Sequence, residues 1–478
     1  VPKRKFFYWL TISNFLYIIV LLILAAVSIA TLTGENGILI RAQDAKTNTE
    51  IAEEKEAIGI AYNGVMADSL GTGVEAEKLQ NELRSNGYTN ATAVDNGDGT
   101  ITVTFDSGRS YTVDSNGNIS DPEEANIMAT MKIEGTKVTT DPPMPNENFE
   151  HVAGTTIDSG YVIRDTTNGN EFVWVPVDQN QRIEINVTSK EENITSITLT
   201  DPYGDPMTLP NIDSLGKSYN ESVNPTINGP YVLKVNTATE EKTTILGVHS
   251  LYAIDVMADW MLTEEYAESK GATLEDLLSK LGCTTKEEAY PILGQQYKTM
   301  YQEQDSEVEL NHRELVEKSG GFYIGRYEAS YESGKVASKE STRIDREYNE
   351  TLENGMLWNY VSQIDALEKS KEMYSGMSTL LTGAAWDRTL GWLEETGAVT
   401  SFEIVADSST WGNYSDDEFS NITGLINTGK YDETKRNNIY DLAGNLREWT
   451  TEANNTTRRV YRGRWLQRFR FWASSLLS

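Results

Sequence analysis

The strongest feature of the hydrophobic pattern is a long apolar run near the start of the chain. The basic residues Lys3–Lys5 precede it, and across Phe15–Ala30 the only clearly polar residue is Ser28. Together with Phe6–Ile12 the stretch is long enough to cross a bilayer. Basic residues before the run and Glu35 after it predict a single-pass anchor in the cell membrane, with the bulk of the chain outside. A cleaved signal peptide is the alternative.

A helical pattern follows the apolar run. The segment Ile38–Ala61 is rich in Ala, Glu and Lys, and its spacing predicts an amphipathic helix. We therefore expect residues 1–62 to form one long helix whose first part is the anchor. A second helix is predicted over Val74–Asn86, and Gly87 is placed to end it.

A short hairpin pattern comes next. Thr100–Phe105 and Arg109–Val113 alternate polar and apolar residues, and Asp106–Gly108 between them is a turn signal. These features predict a small α/β head over residues 63–120. The acidic turn Asp95–Gly99 has part of a calcium-loop pattern, but it lacks the full spacing with a terminal glutamate, which favours an ordinary turn.

The middle of the chain changes character twice. Residues 121–154 carry several prolines among polar residues, which predicts an extended linker. Short apolar-polar runs then predict a series of strands: Glu171–Val177, Ile183–Val187, Ile194–Leu199 and Tyr231–Val235. Their spacing predicts a small β-sandwich over 181–247, inserted into a C-terminal domain of 155–478. Residues 251–318 are typical of helices, and Thr273 is a predicted N-cap.

Charge and rare residues exclude several classes of protein. The net charge of -31 argues against a nucleic-acid partner, because phosphates would be repelled, and is otherwise typical of a well-solvated surface. The one cysteine, Cys283, excludes an intrachain disulfide and favours a buried structural thiol over a nucleophile. The three histidines, His151, His249 and His312, have no metal-ligand spacing.

The N-terminal segment resembles a known class of helix. Ile18–Gly37 is similar to the N-terminal helix of type IV pilin-like proteins of clostridial bacteria. That resemblance implies a bacterial membrane around the first half of the helix, a globular head on its second half, and other pilins as partners. Lys5–Leu10 lacks the glycine and glutamate of prepilin-peptidase substrates, so the sequence predicts membrane anchoring and leaves processing and filament assembly open.

The C-terminal half carries a different resemblance. Five segments occur in the order found in formylglycine-generating enzymes, the sulfatase-modifying-factor family, which has a C-type-lectin-like fold. They are Phe172–Val177, Gly320–Glu328, Leu381–Leu393, Trp411–Asn413 and Asn438–Trp449, and Arg459–Gly463 follows them. The implied fold class is α+β, with an irregular lectin-like domain that contains the inserted β-sandwich. The resemblance extends to the variable proteins of diversity-generating retroelements, which use the same fold to bind ligands.

The segment Asn438–Trp449 holds the candidate site. Asp441 and Glu448 place two carboxylates near backbone carbonyls, an arrangement that suits a hard cation such as Ca²⁺. The resemblance implies Ca²⁺ held by Asp441, Glu448 and the carbonyls of Gly444 and Leu446. In the alternative interpretation, Glu448 pairs with an arginine, either Arg447 or Arg462, and Asp441 caps a turn.

The sequence predicts that this domain has no enzymatic activity. Formylglycine-generating members use a cysteine pair to hold copper, and related iron enzymes use a histidine cluster, whereas this chain has one cysteine and no histidine after His312. We therefore expect a cell-surface adhesion head with an unknown extracellular protein or glycan ligand. The alternatives are a minor pilin or pseudopilin, and a formylglycine-generating type of oxidoreductase, which the missing cysteines disfavour.

The last residues differ in composition from the rest. Residues 464–478 are basic and aromatic in an acidic protein. One interpretation is a tail that binds a membrane surface or an anion. We favour a one-base frameshift, because an alternative frame can encode the Gly/Ser-rich run that the family has after its arginine–glycine stretch. Resequencing the gene tests this hypothesis.

Overall fold

A computed structural model describes eleven separate stretches of the chain: 38–68, 74–97, 99–120, 123–124, 126–137, 141–301, 307–344, 351–406, 410–413, 425–453 and 459–463. The chain divides into two compact units, Val1–Met128 and Ala129–Ser478. The fold is mixed α+β with several small sheets, which confirms the predicted class. Within these stretches, no helix combines the length and the apolar character needed to cross a membrane. The predicted anchor at Phe15–Ala30 lies outside them.

Helix α1 (Ile38–Asp68) begins the described part of the first unit and confirms the predicted second half of the long helix. Its buried residues lie three and four positions apart, as on one helix face: Glu54, Ala57, Ile58, Ala61, Tyr62 and Val65. Ile58 from this face packs with Leu79 of α2 (Ala76–Ser85), the second predicted helix.

A four-stranded antiparallel sheet completes the first unit. Its strands run in the order β1 (Thr92–Asp95), β2 (Thr100–Thr104), β3 (Arg109–Asp114) and β4 (Glu123–Glu124). The predicted hairpin is confirmed, since β2 and β3 pair directly and Gly108 takes a φ of +78° in their turn. Alternate residues such as Val103 and Tyr111 are fully buried and join the core with both helices.

Three strands lie inside the segment predicted as a linker, residues 121–154. Besides β4 they are β5 (Ile127–Thr136), which belongs to a three-stranded sheet, and β6 (Phe149–His151), which pairs antiparallel with the strand Val162–Asp165. The linker prediction is therefore wrong for these residues. Of the prolines on which it rested, Pro122 lies outside the described stretches. The other three, Pro142, Pro143 and Pro145, lie between β5 and β6, so they mark the connection and not the elements on either side.

The second unit has a sheet that the chain leaves and later rejoins. Its order is β14–β8–β7–β6, with β7 (Val162–Asp165), β8 (Glu171–Pro176) and β14 (Gly321–Gly325). Strand β14 pairs antiparallel with β8, so residues 177–320 form one excursion between two neighbouring strands. The inserted segment is therefore longer than the predicted 181–247.

The first half of this inserted segment consists of strands. One three-stranded sheet has the order β11–β9–β5 and the other has the order β10–β12–β13. The new strands are β9 (Gln179–Ser189), β10 (Ser196–Thr200), β11 (Ser218–Val223), β12 (Gly229–Asn236) and β13 (Glu241–Val248). In β9 and β10 every second residue is buried, as expected for strands with one covered face.

The second half of the inserted segment is helical, as predicted. Its helices are α3 (Ala258–Met261), α4 (Glu264–Ser269), α5 (Leu274–Lys280), α6 (Lys286–Tyr301) and α7 (Glu307–Ser319). Thr273 caps α5 as predicted, because its side chain accepts from the Asp276 N–H and Asp276 accepts in return. Cys283 is buried in the core of these helices, which confirms a structural environment for the thiol.

After β14 the chain forms short elements around one buried helix. They are β15 (Ser330–Glu332), β16 (Lys335–Ala337), β17 (Arg343–Ile344), β18 (Met356–Leu357), α8 (Gln363–Met373), α9 (Gly383–Glu395), α10 (Ser401–Val405), β19 (Lys435–Arg436), β20 (Ile439–Tyr440), β21 (Glu448–Ala453) and β22 (Arg459–Arg462). Helix α9 begins after the N-cap Thr382. Trp386 and Leu390 of α9 pack with Val173 of β8 in the central core, which positions the loop between β20 and β21.

Candidate functional site

The loop between β20 and β21 contains three of the four residues predicted to hold a cation, and the fourth, Glu448, is the first residue of β21. Its backbone turns sharply, since Asp441, Gly444 and Asn445 have φ angles of +57°, +85° and +53°. Gly444 forms a parallel β-bridge with Asn413. A Cβ on Gly444 would lie 2.5 Å from the Asn413 backbone nitrogen and oxygen, so only glycine fits this contact.

Asn445 is the fully buried centre of the loop. Its Oδ1 accepts from the Ile426 N–H at 2.9 Å and from Asn413 Nδ2 at 3.2 Å. Its Nδ2 donates to Glu328 Oε2 at 2.6 Å and to the Ile426 carbonyl at 3.1 Å. One side chain therefore joins three separate segments of the chain to the loop.

Glu328 comes from the segment after β14 and holds the same loop. Its Oε1 accepts the Leu446 N–H at 2.9 Å, while its Oε2 accepts Asn445. The residue is 8% exposed. Both of its oxygens are thus directed at the loop that carries Asp441 and leads into Glu448. We call these three acidic residues, Glu328, Asp441 and Glu448, the carboxylate cluster.

Two oxygens of the carboxylate cluster lack hydrogen-bond partners. They are Asp441 Oδ1 and Glu448 Oε2, and both are buried. The other Asp441 oxygen accepts the Gly429 N–H at 3.1 Å, as a turn-capping side chain would. The alternative in which Arg462 neutralises Glu448 does not occur, because Arg462 pairs with Glu452 and Asp387. Arg447 lies over the Tyr461 ring.

The Glu448 oxygen that lacks a hydrogen-bond partner lies close to Gly463. A Cβ built on Gly463 would lie 2.6 Å from Glu448 Oε2 and 3.6 Å from the Leu446 carbonyl oxygen. Two of the four predicted ligands therefore lie beside the same glycine. Asp441 acts on Glu448 and Glu328 through its charge.

The carboxylate cluster is electrostatically unfavourable when all three groups are ionised. Burial raises the pKa of Glu328 well above its usual range, and the charge of Asp441 raises it further. Burial likewise raises the pKa of Glu448, with the charge of Glu328 adding to the effect, and burial raises the pKa of Asp441. No lysine or arginine in the described stretches forms an ion pair with these groups, so they favour a proton or a bound cation.

The donor set fits a hard cation in part. Across the described stretches, no three His, Cys, Asp or Glu side chains are grouped so as to hold a metal ion together. A cation beside Gly463 would therefore take Glu448 Oε2, the Leu446 carbonyl and water, the oxygen ligands that Ca²⁺ accepts.

We expect the second unit, when a chelator is present, to become less stable as the pH rises towards neutrality. Burial raises the pKa of two more carboxyls in this unit, Asp387 and Glu394, to about 7. A carboxyl whose pKa is raised in the folded protein binds its proton more tightly there than in the unfolded chain. Its contribution to the stability of the fold is therefore complete below about pH 4 and is lost as the pH rises past the folded pKa. The urea concentration at the midpoint of unfolding, measured in EDTA, should decrease as the pH is raised from about 5 to about 8. A flat or rising midpoint would contradict this electrostatic picture.

Two other acidic loops in the first unit are ordinary turns. Asp95 Oδ1 accepts the Gly97 N–H at 2.8 Å, which confirms the turn interpretation over a calcium loop. Asp114 Oδ1 accepts the N–H groups of Asn116 and Asn118 at 2.9 and 2.8 Å. In both loops the carboxylate serves its own backbone.

The sequence prediction missed Glu328, Asn445 and Asn413 as members of the site. All three lie within the segments that carry the family resemblance, which was the available signal. Their contacts to the loop span up to 118 positions in sequence, so local spacing could not indicate them.

Compared with known proteins, the chain matches no family model, no curated protein and no solved structure.

Proposed function

We propose that this protein is a membrane-anchored, non-catalytic surface protein whose second unit is a C-type-lectin-like binding head. The observation that carries the proposal is the hydrogen bonding of Glu328 and Asn445. These two buried side chains tie the loop Asn438–Trp449 to the segment after β14. They join two of the segments on which the resemblance to the sulfatase-modifying-factor fold rests, as a shared fold requires.

The order of the elements gives further support. The opening strand of the resemblance is β8, its second segment is β14, and the two are neighbours in one sheet despite the long excursion between them. The predicted central helix is α9, which packs against that sheet. A binding head of this kind needs a rigid scaffold that presents irregular loops.

Calcium is proposed as a structural ion of the binding head. Glu448 and the Leu446 carbonyl would hold it beside Gly463, and Asp441 would favour it through its charge. Bound there, Ca²⁺ would neutralise the carboxylate cluster and fix the start of β21. Removal of the ion by a chelator is then expected to loosen the loop. No catalytic group would be removed, because the ion is proposed to be structural.

Three experiments test the proposed function. The full chain, solubilised in mild detergent, would be applied to glycan and protein arrays with calcium and with EDTA, and we expect selective binding that EDTA weakens. A sulfatase-type peptide whose cysteine became formylglycine in the presence of copper and this protein would overturn the non-catalytic proposal. Protease treatment of intact cells should digest the second unit, and its protection would contradict the surface location.

The structure of the first unit favours a second candidate function, that of a minor pilin or pseudopilin. Its helix α1 packs on a small antiparallel sheet, the arrangement that the pilin resemblance implies. Sheared cell-surface filaments that contain the protein would favour this candidate. Recovery only from membranes would favour the anchored binding head.

A further inference from the structure

His249 is held between two aspartates at the end of β13. Its Nδ1 lies 2.6 Å from Asp255 Oδ2, and its Nε2 lies 2.8 Å from Asp259 Oδ2. The ring stacks on Trp260 of α3, with 4.0 Å between the ring centroids. An ionised aspartate only accepts hydrogen bonds, so with both aspartates ionised both ring nitrogens donate and the ring is the imidazolium cation.

These contacts join three parts of the second unit. Asp259 and Trp260 belong to α3, the first helix of the inserted segment, whereas His249 follows the last strand of its sheets. The Asp255 N–H donates to Asp387 Oδ2 of α9 at 3.0 Å, and Arg388 of α9 donates to the His249 carbonyl at 3.2 Å. The inserted segment is thereby attached to the central helix of the head.

The charges around His249 are mostly negative. Besides its two aspartates, Glu394 of α9 acts on it electrostatically. The nearby cations are already paired: Arg388 binds Glu395 at 2.7 and 2.9 Å, and Arg462 of β22 pairs with Glu452 and Asp387. Burial raises the pKa of Tyr290 of α6, and the charge of Asp259 raises it further.

We propose that His249 is a charge-dependent clamp that holds α3 on the end of β13 and releases it when the imidazolium loses its proton. A neutral imidazole has one nitrogen that accepts, and that nitrogen would then face a carboxylate. One of the two contacts must open. Asp255 has no exposed side-chain area, whereas Asp259 is 15% exposed, so water can solvate Asp259 and its contact is the one released.

The direction of the pH response follows from these contacts. Burial lowers the pKa of His249, but the charges of Asp255 and Asp259 outweigh it and hold the pKa well above its usual range. Because the pKa of His249 is raised in the folded protein, the protonated ring contributes its full stabilisation at pH values below the ordinary histidine pKa. This contribution is lost as the pH rises through the folded pKa. The clamp is therefore closed at neutral pH and opens on the alkaline side.

Hydrogen exchange read by mass spectrometry on the full chain tests the clamp. Exchange at the imidazole Cε1 should show that His249 titrates at a higher pH than His312. In the same pH window, amide protection across 256–262 should fall at least about tenfold after correction for intrinsic exchange. Protection that does not change in that window would overturn the proposal.

Variants separate the clamp from general alkaline unfolding. Asp259→Asn should move both transitions to lower pH, and Asp213→Asn, an exposed change in the same inserted segment, should move neither. Gly247→Ala offers an independent route, because a Cβ there would lie 2.5 Å from Asp259 Oδ2 and should open the contact at every pH. Unchanged transitions in Asp259→Asn, or full protection in Gly247→Ala, would contradict the clamp.

Discussion

Replacing Glu54 with alanine is expected to destabilise the first unit by about 3 kcal/mol, because the change leaves a buried arginine without its main partner. Glu54 Oε2 accepts from Arg109 Nε at 2.7 Å, and Oε1 accepts from Arg109 Nη2 at 3.0 Å. Tyr111 donates to the same carboxylate. These bonds join α1 to β3, so their loss weakens the contact on which the unit is built.

The protonation of Glu54 supports this expectation. Burial would raise its pKa, but hydrogen bonds from Arg109 and Tyr111 outweigh burial and hold the pKa below the usual range. A carboxyl whose pKa is lowered in the folded protein stabilises the fold at pH values above its ordinary pKa. This contribution is lost as the pH falls through the folded pKa. The first unit should therefore weaken in acid, whereas the second should weaken as the pH rises.

The measurement must follow the first unit alone, because a chain with two units does not unfold as one state. Hydrogen exchange of peptides that cover β2 and β3, measured against urea concentration in the full chain, meets this need. Glu53→Ala is the matched control, since Glu53 is the exposed neighbour on the same helix and should change stability by less than about 0.5 kcal/mol. Equal effects of the two changes would show that the buried ion pair does not stabilise the unit.

Gly444→Ala is expected to destabilise the second unit by about 2–4 kcal/mol, through backbone strain and a steric clash together. The φ of +85° disfavours any residue with a Cβ. The added methyl would also lie 2.5 Å from the Asn413 backbone, which would force the loop away from its β-bridge. The same shift would move Leu446 and Glu448 from their positions beside Gly463.

A matched glycine separates these two causes. Gly397, at the end of α9, has a φ of +69°, and a Cβ there would meet no atom within 4 Å. Gly397→Ala should therefore cost only about 1 kcal/mol from backbone strain. Urea unfolding followed by exchange in α9 and β21 compares the variants. If Gly444→Ala cost no more than Gly397→Ala, the close packing of the loop on Asn413 would be wrong.

Local patterns predicted the secondary structure well where one physical signal dominated. The capping box of α5 and the hairpin between β2 and β3 depend on residues only a few positions apart, so the sequence contains the whole cause. Strand β5 was missed because nearby prolines gave a stronger signal than its own weak alternation. The length of the inserted segment was missed because it depends on the pairing of β14 with β8.

The candidate site was predictable only in part for the same reason. Asp441, Gly444, Leu446 and Glu448 lie within eight positions and could be named together. Glu328 joins them through contacts that only the folded chain creates, and it takes the Leu446 N–H that a local interpretation leaves unassigned. The proximity of Gly463 to Glu448 likewise follows from the pairing of β21 with β22, in which Glu448 lies opposite Arg462.

The most direct test of the proposed binding head is the effect of Ca²⁺ on thermal unfolding of the full chain at about pH 8, where the carboxylate cluster is most in need of a cation. Ca²⁺ at a hundred times its dissociation constant should stabilise the second unit by about 2.7 kcal/mol and raise its Tm by several degrees. Glu448→Gln should remove most of this rise, while Glu433→Gln, an exposed change of equal charge, should keep it. No rise in the wild type, or an equal rise in Glu448→Gln, would contradict a calcium-stabilised head.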